Sequence, residues 1–171
     1  ILLVRTHKRG PIRMVEKDIL KKIVFLKDLP DPILEKISTI AQFETFDEEN
    51  ILFHQNQEQT LLYMLVSGKV FLNSRSVSGK SLTLDEVLPG RTFGLSALMG
   101  ESSSTFTAVC AEASSIITIP GEQMRQLFEK DFEIGHTLML KVVEIFRARM
   151  KMHTRQFLHS LATHPEIRAL G

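Results

Sequence analysis

The stretch from residue 89 to residue 107 holds the residue types best suited to binding an anion. Gly90 and Gly94 let the backbone turn tightly, and the short apolar run that follows is long enough for one helical turn. A glycine before a helical turn leaves backbone N–H groups free to point at an anion. Ser102, Ser103, Ser104 and Thr105 then add hydroxyl groups. The spacing therefore predicts an anion-binding loop that leads into a strand.

The same stretch lacks the charged side chains that a tight anion site uses. No Lys, Arg or His occurs from Thr92 through Met124. Losing one charge-assisted, desolvated contact costs about 2–5 kcal/mol of binding free energy, or roughly 30-fold to several thousand-fold in affinity. We therefore expect a polar loop that holds an anion weakly at most.

Residues 93–98 read F-G-L-S-A-L and resemble the phosphate-binding cassette of cyclic nucleotide-binding domains. This is the family of the catabolite activator protein and the kinase regulatory subunits, whose cassette reads F-G-E-L-A-L, a variable loop and then R-[ST]-A. Leu95 stands where the family has its ribose-binding glutamate. The phosphate-binding arginine aligns with Ser104 or with Phe106, depending on which downstream residues fix the register. We call residues 93–107 the cassette.

The resemblance implies a binding site in which both family contacts are replaced. His153 and Thr154 fall where related regulators place the residues that touch the purine. If the pocket lacks only these two contacts and is otherwise intact, Leu95→Glu with Ser104→Arg should restore cyclic nucleotide affinity without loss of the fold. The candidate ligand-binding residues are Gly94, Leu95, Ser96, Ala97, Ser104, Thr105, Thr107, His153 and Thr154.

The net charge of +1 hides a division along the chain. Residues 1–27 carry eight basic and two acidic side chains, hence +6, and residues 141–171 carry six and two, hence +4. Residues 28–140 carry seven and sixteen, hence −9. Basic ends are typical of solvated helix faces, with contact to nucleic acid or to an acidic neighbouring domain as the alternative. We expect no nucleic-acid contact by this segment.

The remaining composition argues against several function classes. Cys110 is the single cysteine, which excludes an intramolecular disulfide and predicts a cytoplasmic protein. No apolar run approaches the ~20 residues of a membrane span. Only one of the six histidines, His54, lies in the strand-rich region, so neither a cupin-like metal site nor an enzyme is expected. We expect no cofactor, although haem ligation by histidine stays open because some relatives bind haem.

Short alternating apolar and polar runs from Phe43 to Pro120, broken by Gly, Asn or Ser, predict a mainly β fold. With the resemblance, the expected architecture is an antiparallel jelly-roll barrel (double-stranded β-helix) with N-terminal helices and a long C-terminal helix. The expected divisions are a basic arm and helix over 1–24, the barrel domain over 25–132, and the C-terminal helix and tail over 133–171. The helical pattern of the N-terminal part starts at Met14, and Asp31 and Pro32 predict the cap and first residue of a second helix.

An amphipathic helix is predicted from about Ile134 to Leu161. Its apolar residues recur at four-three spacing, which is typical of a helix dimer. Packing of the stripe against the barrel is the alternative, but roughly 27 residues at 1.5 Å each outrun a small barrel. We call this stripe the seam, and its members are Met139, Val143, Phe146, Met150, His153 and Phe157.

Three functions remain open at this point. The first is a regulatory domain that binds cyclic AMP or cyclic GMP poorly or not at all, senses a small molecule of unknown identity, and signals through its C-terminal helix as a homodimer. The second is the effector domain of a transcription regulator of the catabolite activator type, lacking its DNA-binding part. The third is a dimerisation scaffold without a ligand.

Overall fold

Alternating apolar residues form strands through the middle of the chain, and the long helices lie toward its two ends. The computed structural model describes residues 13–75, 79–100 and 103–163. The strands are β1 (Arg13–Met14), β2 (Gln42–Phe46), β3 (Ile51–Phe53), β4 (Leu61–Ser67), β5 (Val70–Arg75), β6 (Ser81–Val87), β7 (Thr92–Phe93), β8 (Thr107–Cys110) and β9 (Ser114–Pro120). The helices are α1 (Lys17–Leu20), α2 (Asp31–Ile40), a 3-10 helix (Leu95–Met99), α3 (Gly121–Lys130) and α4 (Phe132–Thr163).

The strands form two antiparallel sheets. One has the order β1-β2-β9-β4-β7 and the other β3-β8-β5-β6. The mainly β architecture predicted from the alternation is therefore confirmed, although the strands form two sheets rather than one closed barrel. We call the two sheets together the roll.

The five-stranded sheet is buried on both faces, because successive side chains of a strand point to opposite sides. On β4, Tyr63 and Leu65 face the other sheet, whereas Leu62 and Met64 face the helices. Two apolar clusters result. The inner cluster, between the sheets, contains Phe46, Tyr63, Leu65, Val70, Leu72, Val87, Phe93, Ala108, Cys110 and Ile116. The outer cluster joins the five-stranded sheet to the helices and includes Leu20, Leu26, Leu34, Ile37, Leu62, Met64, Leu95, Leu98, Ile117, Ile119, Met124, Ile134, Leu138 and Val142.

The N-terminal part differs from the helix predicted to start at Met14. Arg13 and Met14 pair with β2, α1 spans only Lys17–Leu20, and turns follow. Val24 is exposed, and its N–H donates to the main-chain oxygen of Gly90. Hydrogen bonding to the roll thus replaces the predicted helical continuation. The arm ahead of residue 13 lies outside the described residues.

Helix α2 begins one residue earlier than the capping pattern predicts. Its N-cap is Pro30, which leaves Asp31 and Pro32 inside the first turn. The Asp31 carboxylate instead pairs with Lys21 and Lys17, at 2.8 and 3.5 Å.

Helix α4 confirms the predicted long C-terminal helix and extends it by two residues at each end. Ile134, Leu138 and Val142 bury one face of α4 in the outer cluster. Most of the seam forms a second, exposed stripe along α4. No helix in the described part of the chain combines the length and apolar character needed to cross a bilayer.

Candidate functional site

The cassette begins where β7 ends and the chain turns sharply. Gly94 has φ +69°, a left-handed conformation that glycine adopts at no steric cost, and the 3-10 helix follows directly. A Cβ at Gly94 would lie 2.9 Å from Gln59 Nε2, from the Leu61 oxygen and from the Tyr63 ring. Glycine is thus required here both by the backbone conformation and by space.

Leu95, at the position of the family's glutamate, points away from the space between the sheets. It is 2% exposed and packs in the outer cluster with residues such as Leu98 and Met124. Phe93, two residues earlier, packs in the inner cluster. The left-handed turn at Gly94 separates these two directions.

Ser104, one of the two positions aligned with the family's arginine, is buried rather than exposed in a tolerant loop. Its Oγ donates to the Phe106 oxygen at 2.7 Å and accepts from the Phe106 N–H at 3.2 Å. Its backbone bonds to Gln57 and Asn56. Ser104 therefore closes a turn with its own hydroxyl, and Thr105 beside it is exposed.

Thr107 lies on the outer side of the four-stranded sheet, away from the inner cluster. Its Oγ1 accepts a hydrogen bond from the Gln55 N–H at 3.0 Å, and it lines a surface cleft of about 490 Å³ together with His54 and Arg75. Asn56, which lines the same cleft, has φ +64°, a conformation that Asn tolerates better than most residues.

Aromatic rings occupy the inner cluster next to the cassette. The Tyr63 ring stacks on Phe93 with centroids 5.2 Å apart, and Phe53 lies 5.4 Å from Tyr63 and 6.2 Å from Phe93. Tyr63 Oη donates to the Leu52 oxygen at 3.3 Å, which joins β4 to β3. This packing gives the inner face of the cassette an apolar lining.

Only one residue of the pair His153 and Thr154 turns toward the roll. The His153 ring meets Phe106 edge-on with centroids 6.4 Å apart, whereas Thr154 is exposed. His153 Nε2 is buried and has no hydrogen-bond partner among the described residues. His153 therefore belongs to the roll-facing side of α4, unlike the other members of the seam, which are exposed.

Two arginines distant in sequence bond to main-chain oxygens of the cassette and of the residue just before it. Arg125 of α3 donates from Nη1 to the Ala97 oxygen, and Arg149 of α4 donates from Nη2 to the Thr92 oxygen at 3.2 Å. Sequence reasoning missed both, since they lie 28 and 57 residues from their partners and only the fold brings them together. Both bind main-chain oxygens rather than facing the inner cluster.

Close backbone packing links the cassette to α4 through α3. Gly121 opens α3 directly against Ala97, and a Cβ there would overlap the Ala97 oxygen. Gly135, near the start of α4, packs on Phe128 of α3, with a virtual Cβ 2.9 Å from the Phe128 Cβ. Displacement of the 3-10 helix is thereby resisted by α3, and displacement of α3 by α4.

The fold thus places Gly94 beside the aromatic rings of the inner cluster and Phe106 beside His153. Leu95 packs in the outer cluster instead, and Thr107 lies on the outer side of the four-stranded sheet. Ser96 and Ala97 lie in the 3-10 helix, Ala97 buried and Ser96 half-buried. Among the described residues, no cluster of His, Cys, Asp and Glu could hold a metal ion.

Comparison with known proteins identifies a family for most of this region. The model of the cyclic nucleotide-binding domain family matches residues 43–131. The chain is 28% identical over 127 residues to the cAMP-activated global transcriptional regulator CRP of Haemophilus influenzae, covering 74% of this chain and 55% of that protein. It is 27% identical over 139 residues to a cGMP-dependent protein kinase, isozyme 2, of Drosophila melanogaster, covering 79% of this chain and 15% of the kinase.

Solved structures agree with these matches. The structure of a candidate cyclic nucleotide-binding protein from Geobacter metallireducens GS-15 superposes with a TM-score of 0.71 at 27% identity, covering 80% of this chain and 99% of that one. The chain spans about half the length of the Haemophilus regulator and a smaller part of the kinase. The matched region contains β3 to β9, nearly all of β2, the 3-10 helix and α3. It leaves out β1 and ends just before α4.

Proposed function

Because the chain belongs to the cyclic nucleotide-binding domain family, we propose that it is a regulatory domain that binds cyclic AMP and cyclic GMP poorly or not at all. The burial of Leu95 in the outer cluster carries this proposal. A leucine cannot accept a hydrogen bond from a ribose hydroxyl, and here it does not face the space between the sheets.

The phosphate side of the site supports the same proposal. Ser104 is buried and uses its hydroxyl within its own turn, so it offers no charge to a cyclic phosphate. Arg125 and Arg149, which bond to the cassette, are committed to main-chain oxygens. A cyclic nucleotide would therefore lose two charged contacts, each worth about 2–5 kcal/mol when desolvated.

The proposed output is a change in the position of α4 relative to the roll. The contacts of Gly121 with Ala97 and of Gly135 with Phe128 provide a continuous packed route from the cassette to α4. Arg149 provides a second, direct link to β7. Packed elements of this kind shift between discrete arrangements, which is how a local change at a site reaches a distant helix.

A homodimer through the seam completes the proposal. Five of the six seam residues are exposed along α4, namely Met139, Val143, Phe146, Met150 and Phe157. The sixth, His153, faces the roll. A second copy of α4 would bury this stripe. Burial of apolar surface stabilises an assembly by about 25 cal/mol per Å². The stripe would gain this stabilisation in the dimer, whereas it gains none while it is exposed to solvent.

A second candidate function is the effector part of a transcription regulator. The match to the Haemophilus regulator, of which this chain spans 55%, favours it. In that case α4 would pass the regulatory signal to a DNA-binding domain beyond the matched region.

Isothermal titration calorimetry of the chain with cyclic AMP and with cyclic GMP tests the main proposal. We expect either no heat of binding or dissociation constants weaker than micromolar for both. Thermal unfolding of the same samples provides an independent check, because a ligand that binds the native state raises its stability by mass action. A micromolar or tighter dissociation constant for either nucleotide would contradict the proposal.

A further inference from the structure

A cleft of about 770 Å³ lies outside the cassette, between α4 and the roll. Residues 24–28, β6, β7 and α4 contribute to its walls. Its volume falls within the range of roughly 300–1,000 Å³ that is usual for small-molecule sites. Its apolar wall consists of Val24, Phe25, Val87, Ile145, Ala148 and Met152.

We call this space the helix–roll cleft. It is lined by equal numbers of basic and acidic residues, but more of the acidic ones are already in ion pairs. Four lining residues are basic and four are acidic: Lys27, Arg91, Lys141 and Arg149 against Asp28, Asp85, Glu86 and Glu144. Three of the acids have a basic partner, since Asp28 pairs with Lys141, Asp85 with Arg149, and Glu86 with Lys69 from outside the cleft. Lys69 is shared between Glu86 and Glu112, at 3.6 Å from each. Among the described residues, Lys27 and Arg91 have no ion pair, and neither has Glu144. Arg91 is therefore a lining cation without an acidic partner in the described part of the chain.

Arg91 lies near the Arg149–Asp85 pair at one corner of the cleft. Burial lowers the pKa of Arg149, the nearby Arg91 lowers it further, and Asp85 opposes both effects. Thr92, which lines the same corner, is 4% exposed, and its Oγ1 has no hydrogen-bond partner among the described residues. A buried hydroxyl without a hydrogen-bond partner destabilises the native state, and a hydrogen bond to a bound ligand would remove that cost.

We propose that the helix–roll cleft binds a small organic acid: its carboxylate lies at Arg91 and Thr92, and its apolar body lies between Phe25 and the Ile145–Met152 face of α4. Arginine suits a carboxylate because its planar guanidinium donates two parallel hydrogen bonds. The ligand would touch both α4 and the roll, and so favour one position of α4 over others. This site lies outside residues 93–107, and none of the seam residues lines it.

Calorimetric titration with three carboxylates of increasing apolar size tests the proposal, using hexanoate, phenylacetate and naphthalene-2-acetate. We expect affinity to rise along this series and the uncharged amide of naphthalene-2-acetate to bind about tenfold more weakly than the acid. No binding of any of the three acids up to about 10 mM, or equal binding of acid and amide, would overturn the proposal.

Three variants localise the site. Arg91→Gln, at an exposed position, should weaken the acid about tenfold and leave the amide unchanged. Ala148→Phe fills the apolar part of the cleft and should abolish binding of both compounds. Arg155→Gln is the matched control, an exposed arginine of α4 that does not line the cleft, and it should change neither affinity. Acid binding that survives Arg91→Gln, or that falls equally with Arg155→Gln, would show that the corner at Thr92 is not the binding site.

Discussion

The guanidinium of Arg149 lies 3.5 Å from the carboxylate of Asp85, and this pair joins the long C-terminal helix to β6. The Asp85 side chain is only 10% exposed, so it depends on Arg149 for its compensating charge. We expect Arg149→Met to lower the free energy of unfolding by about 2–4 kcal/mol, because it leaves a buried carboxylate unpaired.

Urea denaturation at fixed protein concentration measures this loss. Arg149→Met combined with Asp85→Asn should cost less than the sum of the two single variants, since the second change removes the unpaired charge. Strictly additive losses would mean that the two side chains do not stabilise each other.

Leu95→Glu should destabilise the protein without creating cyclic nucleotide affinity. The new carboxylate would enter the outer cluster, where an unpaired charge costs several kcal/mol, about 3–5 by comparison with broken buried pairs. Met99→Glu places the same charge in the same 3-10 helix at a residue that is 57% exposed, and should change stability by less than about 0.5 kcal/mol. Chemical denaturation and titration with cyclic AMP report the two effects. A stable Leu95→Glu variant that binds cyclic AMP would contradict this prediction. It would support instead a pocket that lacks only the two family contacts and is otherwise intact.

Met150→Asp and Phe146→Asp should each convert a dimer into monomers, because they place a charge in the centre of the seam. Met150 is 69% exposed within one chain, so the substitution should leave the fold of the monomer intact. Lys151→Asp, at the neighbouring exposed residue outside the seam, is the control and should remain dimeric. Multi-angle light scattering distinguishes the two states, and a monomeric unmodified chain would refute the dimer.

Cys110 should be protected from modification in the native state and should make stability fall at high pH. Burial raises its pKa from 9.0 to about 11, against a smaller lowering by the hydrogen bond with Ser114. The folded state holds this proton more tightly, so the stabilisation is present below pH 9 and is lost as the pH rises toward 11.

Ellman's reagent at pH 8 should therefore react with the unfolded chain and barely with the native one. Urea denaturation at pH 8, 9 and 10 should show a steeper loss of stability with pH for the parent than for Cys110→Ala, which removes the thiol. Identical pH dependence of the two proteins would exclude the effect.

Periodicity predicted the elements whose burial repeats regularly. Alternation on β4 sends Leu62 and Tyr63 to opposite clusters, and the four-three spacing of the seam produced a helix close to its predicted bounds. Asn56 also behaved as its residue type predicts. In each case the local pattern and the fold favour the same conformation.

The direction of Leu95 could not be predicted in this way. Phe93 and Leu95 are two residues apart and would share a face in a strand, but the positive φ of Gly94 turns the chain between them. The roles of Arg125 and Arg149 were equally hidden, because a contact between an arginine and a main-chain oxygen leaves no sequence pattern. The candidate site was therefore located by its motif, whereas its chemistry depended on the fold.

The close approach of Gly135 to Phe128 gives the long helix α4 a pivot near its first residues. From Gly135 to Thr163 the helix runs for 28 residues, or about 42 Å at 1.5 Å per residue. A tilt of about 5° at this pivot would carry the far end sideways by about 4 Å, which approaches the rise of one helical turn. A substitution such as Gly135→Ala would thus tilt α4 away from Phe128. The resulting displacement would be largest near Thr163, at the end of the helix most distant from the substitution.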